Sequence, residues 1–132
     1  MTRVLIVQRD RSLADRMASD LRRAGYEIEQ CGGPREERCP VVDSLPCALV
    51  DRADVLVYDA WIAGDADGGH RLVSHLRDVY ADLPVVLTSA DPSLDWVTRD
   101  GPERVLPLPA RPEPEDLRAA VETAIGDQGM AV

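Results

Sequence analysis

The chain has 132 residues, 45% of them hydrophobic, and a formal charge of −9 at pH 7, enough for one domain around one core. That acidity argues against a nucleic-acid partner, whose phosphates are bound by basic side chains, and all 15 basic residues here are arginine. No run is long and apolar enough to span a membrane and the N-terminus lacks an apolar signal core, so the expectation is a cytoplasmic protein without membrane association.

Strand and helix signatures alternate along the chain. Val4–Val7 is a short apolar run, the mark of a strand buried on both faces of a parallel sheet. Ser12 and Asp15 form a capping-box pattern, Leu13, Met17 and Leu21 share one helical face, and Gly25 stops that helix. Tyr26 and Ile28 alternate with Glu27 and Glu29, as in a half-exposed strand near a sheet edge. Asp54–Tyr58 is the central strand. Leu72, Val73 and Leu76 predict a helix over Gly69–Val79, and Pro84–Leu87 is a fourth buried strand. Pro92–Arg99 has room only for a short helix before Gly101-Pro102, and Arg104–Leu108 is a short, proline-terminated fifth strand. Glu113–Ile125 is the last helix, with Pro114 in its first turn, Leu117, Val121 and Ile125 inward, and Gly126 ending it. Five β-α units joined by right-handed crossovers make a three-layer α/β/α sandwich. It is expected to occupy residues 1–126, with 127–132 a flexible tail and no output domain.

Two places in this pattern carry candidate chemistry. Asp59 stands just past the apolar run Val55, Leu56, Val57 and Tyr58, so its carboxylate projects into the crevice at the carboxyl edge of the sheet, where open α/β folds bind ligands. Gln8 and Arg9 stand just past the first strand, at the same edge. A second region departs from the alternation. In Gly32–Ala53, Pro34, Pro40 and Pro46 recur every six residues, so at most about two helical turns fit, over Pro46–Arg52.

Cys31, Cys39 and Cys47, spaced by eight, lie in or beside that segment. Three thiolates with a fourth ligand suit Zn²⁺ or an iron–sulfur cluster, and two suit a redox switch. No Cys-x-x-Cys pair is present, and incidental thiols are the competing reading. Cys31 is expected to approach only one of the others, which favours a redox pair or no function over a metal site. His70 and His75 do not share a helical face and are expected at the surface. Trp61 and Trp96 fall near the crevice side, where contact with a protein partner is the commoner role. No glycine-rich phosphate loop or nucleophile elbow occurs.

Several stretches together carry a resemblance: Arg3-Val4-Leu5-Ile6-Val7, Ala24-Gly25-Tyr26-Glu27, and Asp54-Val55-Leu56-Val57-Tyr58-Asp59. To these are added Gly64 with Asp67-Gly68, Leu83-Pro84-Val85-Val86-Leu87-Thr88-Ser89-Ala90, and Val105-Leu106-Pro107-Leu108-Pro109. In this order the chain resembles, from Thr2 to Gly126, a response-regulator receiver domain, the flavodoxin-like (βα)5 module of two-component signalling. The resemblance implies a five-stranded parallel sheet of order 2-1-3-4-5, here with the second helix short or absent.

In that family the carboxylate after the third strand takes a phosphoryl group. It does so beside Mg²⁺ held by an acidic pair after the first strand, with a lysine after the fifth and a Thr or Ser after the fourth. Asp59 is the phosphoacceptor-equivalent here and Thr88 matches, but the acidic pair reads Gln8-Arg9 and the lysine position reads Leu108. Asp10 falls one place late, where its side chain should point to the other side of the loop, and the aromatic switch position is Val105. With these residues Mg²⁺ binding is not expected, and Arg9 has two readings, an ion pair with Asp59 in place of the ion or extension into solvent.

The resemblance with its departures implies a degenerate receiver: a non-enzymatic signalling module without a cofactor, acting on a protein partner. The expected docking face is the last helix with the adjoining fourth, which is also the expected face of a homodimer. Three other readings stay open, namely a cysteine-based metal or redox sensor on the same scaffold, an unconventional phosphoacceptor at Asp59, and a small flavodoxin-like enzyme or ligand binder.

Overall fold

The computed structural model describes residues 2–32, 46–60, 66–89 and 105–130. The elements run β1 (Arg3–Val7), α1 (Arg11–Arg23), β2 (Glu27–Cys31), α2 (Ala48–Asp51), β3 (Val55–Asp59), α3 (Ala66–Val79), β4 (Val85–Ser89), β5 (Val105–Pro109) and α4 (Pro114–Met130). The strands form one parallel sheet in the order β2-β1-β3-β4-β5. This is the flavodoxin-like arrangement, with α2 reduced to a four-residue turn as the prolines require. The expected helix at Pro92–Arg99, with Trp96, and also Cys39 and Trp61, lie outside the described residues.

Period-two alternation divides each strand between two cores. Leu5, Val7, Leu56, Tyr58, Val85 and Leu87 pack with Val50 of α2 and Leu72, Val73 and Leu76 of α3. Val4, Ile6, Val55, Val57 and Val86 pack with Leu13, Met17 and Leu21 of α1 and Leu117 and Val121 of α4. Both faces of the central strands are thereby covered, which is why they read as unbroken apolar runs. Each fully buried Leu or Val contributes about 1.5–3 kcal/mol from burial, enough to set the strand register without special turns.

Helix ends follow local chemistry, with two differences from the sequence reading. Asp10, not Ser12, caps α1: its backbone is extended and its Oδ1 accepts the Leu13 N–H at 3.1 Å. Ser12 already lies inside the helix, where its side chain is exposed. At the other end Gly25, at φ +99°, lets Tyr26 N–H reach back to the Leu21 carbonyl at 3.2 Å and ends the helix. Gly126 does not end α4, which continues to Met130. Gly25 is the only positive-φ glycine among the described residues, so the geometry of a glycine stop is absent at Gly126. Arg77 closes the turn into β4 by donating to the carbonyls of Tyr80 (3.2 Å) and Leu83 (2.5 Å).

The two edge strands are built differently. β2 presents Glu27 and Glu29, tied to Arg3 at 3.0 and 3.6 Å. β5 carries Pro107 and Pro109, whose missing donors fall on one side of the strand. The ladder to β4 forms from the other side, so the prolines lie along the free edge.

Candidate functional site

Strand register assembles the carboxyl edge. Val7 pairs with Tyr58, which brings the next residues, Gln8 and Asp59, side by side at the point where strand order reverses. Asp59 pairs with Thr88, and Thr88 with Leu108. Gln8, Asp59, Thr88 and Leu108 therefore form one row across four strands, and alternation puts them on the face covered by α1 and α4.

Each member of the row is held in a way that decides its chemistry. Gln8 is buried; its N–H donates to the Cys31 carbonyl at 3.1 Å and its Oε1 accepts the Asp10 N–H at 3.0 Å. The carboxamide oxygen thus fixes the loop leaving β1. Asp59 is half-buried at the end of β3. Thr88 is buried, its hydroxyl 3.5 Å from the Tyr58 carbonyl, while its own carbonyl accepts the Ala60 N–H at 2.9 Å. Leu108 packs into the α1–α4 core. Val105 is fully buried and makes no aromatic switch.

Of the two readings of Arg9, the ion pair with Asp59 is not formed and extension into solvent is the one found. Arg9 is exposed, and the ion pair found at this edge among the described residues joins Arg111 to Asp10, Nη2 to Oδ2 at 3.4 Å. The reason is the cap: Asp10 is anchored on α1 by Leu13 N–H, its second oxygen faces the β5–α4 loop, and Arg111 in that loop meets it. Sequence reading missed Arg111, which is 101 positions from its partner. Its only signal is an arginine set between Ala110 and Pro112 just past the last strand.

The donor set can be tested against the Mg²⁺ that the resemblance implies. A hard divalent cation requires several oxygen ligands, preferably carboxylates. Gln8 Oε1 is taken by a backbone N–H, Asp10 is divided between a helix cap and a guanidinium, and two arginines flank it. Asp59 remains as the one carboxylate of the row. These residues do not fit Mg²⁺. Among the described residues no group of three or more His, Cys, Asp or Glu side chains is placed to hold a metal ion.

A second cluster surrounds α2. The Tyr80 hydroxyl accepts the Cys47 N–H at 2.9 Å, lies 3.2 Å from the Cys47 carbonyl, and donates to the Asp51 carboxylate in a short contact. Burial and that bond to Asp51 push the Tyr80 phenol above its ordinary 10.0. Arg52 grips Glu29 of β2 through two hydrogen bonds, 3.1 and 2.8 Å, which hold the Glu29 carboxyl below its ordinary range. Cys31 and Cys47 are half-buried thiols packed against the same core as Val7 and Val50. His75, expected at the surface, is partly buried, with its Nδ1 enclosed and lacking a hydrogen-bond partner; His70 is likewise half-buried.

Solved structures share this architecture over nearly the whole chain. A response regulator receiver domain protein from Clostridium thermocellum superposes with a TM-score of 0.72 at 15% identity, covering 100% of both chains. A CheY-like receiver domain protein from Methanospirillum hungatei gives 0.73 at 17%, covering 100% of this chain and 99% of that one. NtrX from Brucella abortus gives 0.76 at 20%, covering 98% of this chain and 28% of that one. The fold is that of a receiver domain. Identities this low carry the fold and not the chemistry of the site. No family model matches the receiver-fold chain. One curated relative is 36% identical over 102 residues, the phosphoribosylformylglycinamidine synthase subunit PurL of Pyrobaculum calidifontis. That match covers 73% of this chain, which spans only 14% of the relative's length. No helix among the described residues is long and apolar enough to cross a membrane.

Proposed function

We propose that this receiver-fold chain is a degenerate signalling module that works by docking to a protein partner in the cytoplasm, without conventional Mg²⁺-dependent phosphorylation of Asp59. The observation that carries the proposal is the row Gln8, Asp59, Thr88 and Leu108 at the carboxyl edge. Phosphoryl transfer is catalysed almost wholly by placed charge and position. In this row one carboxylate is flanked by a carboxamide engaged with backbone, a buried hydroxyl and a leucine. Neither a metal nor a lysine is available to gather the charge of a transferring phosphoryl group. With that chemistry subtracted, what remains of a receiver is its surface. α4 offers an exposed polar face, with Glu115, Arg118 and Glu122 outward and Leu117 and Val121 inward. We assign docking to that face, and a homodimer through it is the alternative occupant.

One observation favours a second reading, an unconventional phosphoacceptor: Asp59 and Thr88 keep their expected pairing, and Arg111 brings a guanidinium to the same edge. A single experiment separates the two. Intact-mass analysis after incubation with acetyl phosphate and Mg²⁺ should give the unmodified mass. A stoichiometric phosphoryl adduct that disappears in Asp59→Asn would sink the first reading and establish the second.

A further inference from the structure

We propose that Cys31 and Cys47 are a dithiol site that closes to a disulfide on exposure to a low-molecular-weight disulfide such as glutathione disulfide, fixing α2 against β2. The inference stands apart from the docking reading and does not need it.

The two thiols belong to one face of the domain and pack against one core. Cys31 ends β2 in register with Val7, and alternation puts its side chain with Leu5 and Val7 on the face that α2 and α3 cover. Cys47 immediately precedes α2 and packs against the same core. The chain leaves β2 at the carboxyl edge and returns to the amino edge through α2, since Asp54 N–H donates to the Arg3 carbonyl at 2.8 Å. Part-way down, Arg52 and Glu29 tie α2 to β2. From that tie, Cys31 lies two strand residues toward the carboxyl edge, about 6.6 Å of rise. Cys47 lies five residues along the turn in the same direction, about 7.5 Å if the helical rise holds throughout. Both cysteines therefore lie on the carboxyl-edge side of the Glu29–Arg52 tie and pack against one core.

The element that has to adjust is small. A disulfide needs Cα atoms within about 7 Å. α2 has a single buried side chain, Val50, and is otherwise secured by the Tyr80 hydroxyl and the Glu29–Arg52 pair. Closing the bridge therefore requires a shift only of this four-residue turn, with Leu49 and Val50 repacking against the core.

The chemistry balances with the oxidant named. One protein thiol loses its proton to solvent, and the thiolate attacks a sulfur of glutathione disulfide. A protein–glutathione mixed disulfide forms and a glutathione thiolate leaves, taking up a proton. The second protein thiol, deprotonated in turn, attacks the protein sulfur of the mixed disulfide and expels the second glutathione. Two protein thiols are oxidised to one disulfide, and one glutathione disulfide is reduced to two thiols.

The test uses the whole chain in its native state. The protein is incubated with glutathione disulfide, remaining thiols are alkylated, and peptides are mapped without reduction. The expected product is a Cys31–Cys47 linkage with Cys39 alkylated, a mass loss of about 2 Da before alkylation, and slower amide exchange in α2 than in the reduced protein. Cys39→Ser should close equally well, and Cys47→Ser should stop at a glutathione adduct. A predominant disulfide through Cys39, or three alkylated thiols after the oxidant, overturns the assignment.

Discussion

Replacing Tyr80 with Phe isolates what secures α2. The ring stays in place against the core, so only the hydroxyl is lost. Two hydrogen bonds go with it: the one accepted from the Cys47 N–H at 2.9 Å and the short one donated to Asp51. The Cys47 amide is part-buried and would face the ring edge without an acceptor, at a cost in the lower part of the 1–3 kcal/mol range, about 1 kcal/mol. Asp51 is exposed and recovers water, so its charge-assisted bond contributes less than it would inside, about 0.5 kcal/mol. The expected destabilisation is about 1–2 kcal/mol, which a urea slope of about 1–3 kcal/mol/M converts to a midpoint lower by about 0.3–2 M. Because α2 buries little else, its own opening should be favoured as well. The Asp51 amide, bonded to the Cys47 carbonyl at 2.8 Å, should exchange about tenfold faster. A midpoint matching the parent together with unchanged exchange at Asp51 would refute the clamp. The raised Tyr80 pKa adds a sign: the stabilisation is complete below the ordinary 10.0 and is lost as pH rises through the higher folded value.

Two further outcomes follow from the ion pairs. Asp10→Ala removes the α1 cap and should cost about 1 kcal/mol in thermal or urea melts, whereas Asp10→Asn keeps the cap, loses only the exposed Arg111 pair, and should stay within about 0.5 kcal/mol of the parent. Glu29 has a folded pKa below its ordinary 4.5, first because of its hydrogen bonds from Arg52. Its contribution is therefore present above pH 4.5 and lost as pH falls through the folded value, and Glu29→Gln should flatten the acid limb of a stability–pH curve there. An acid limb of unchanged slope would show that the Arg52 contact is energetically idle.

The sheet was legible in the chain because burial on both faces leaves an unmistakable trace in runs such as Val4–Val7 and Val55–Tyr58. The brevity of α2 was legible from its prolines and the places of Gln8 and Asp59 from counting past strand ends, whereas Thr88 and Leu108 were picked out only by the resemblance. What could not be read depends on contacts between distant segments. Arg111 meets Asp10 across 101 positions and Tyr80 meets Cys47 across 33, and neither residue has a local pattern that names its partner. Charge alone left Arg9 open between Asp59 and solvent; its side chain is exposed, and the cap that Asp10 makes on α1 leaves the second oxygen of Asp10 for Arg111. The cap was read at Ser12 from its capping-box pattern, whereas Asp10, two positions earlier, makes it.

The prolines of β5 bear on how the molecule is made as well as on its final form. During synthesis β4 emerges before β5, and until β5 pairs, Val85–Ser89 is the open border of a growing sheet, four of its five residues buried in the finished protein. Such a segment is a template for cross-pairing between nascent chains. The strand that closes this border cannot pass the hazard outward, because its own free side lacks the donors at positions 107 and 109. The interval of risk is therefore set by ribosome travel from β4 to β5, and slowing translation there should raise the yield of aggregated nascent chain, whereas slowing it after Pro109 should not.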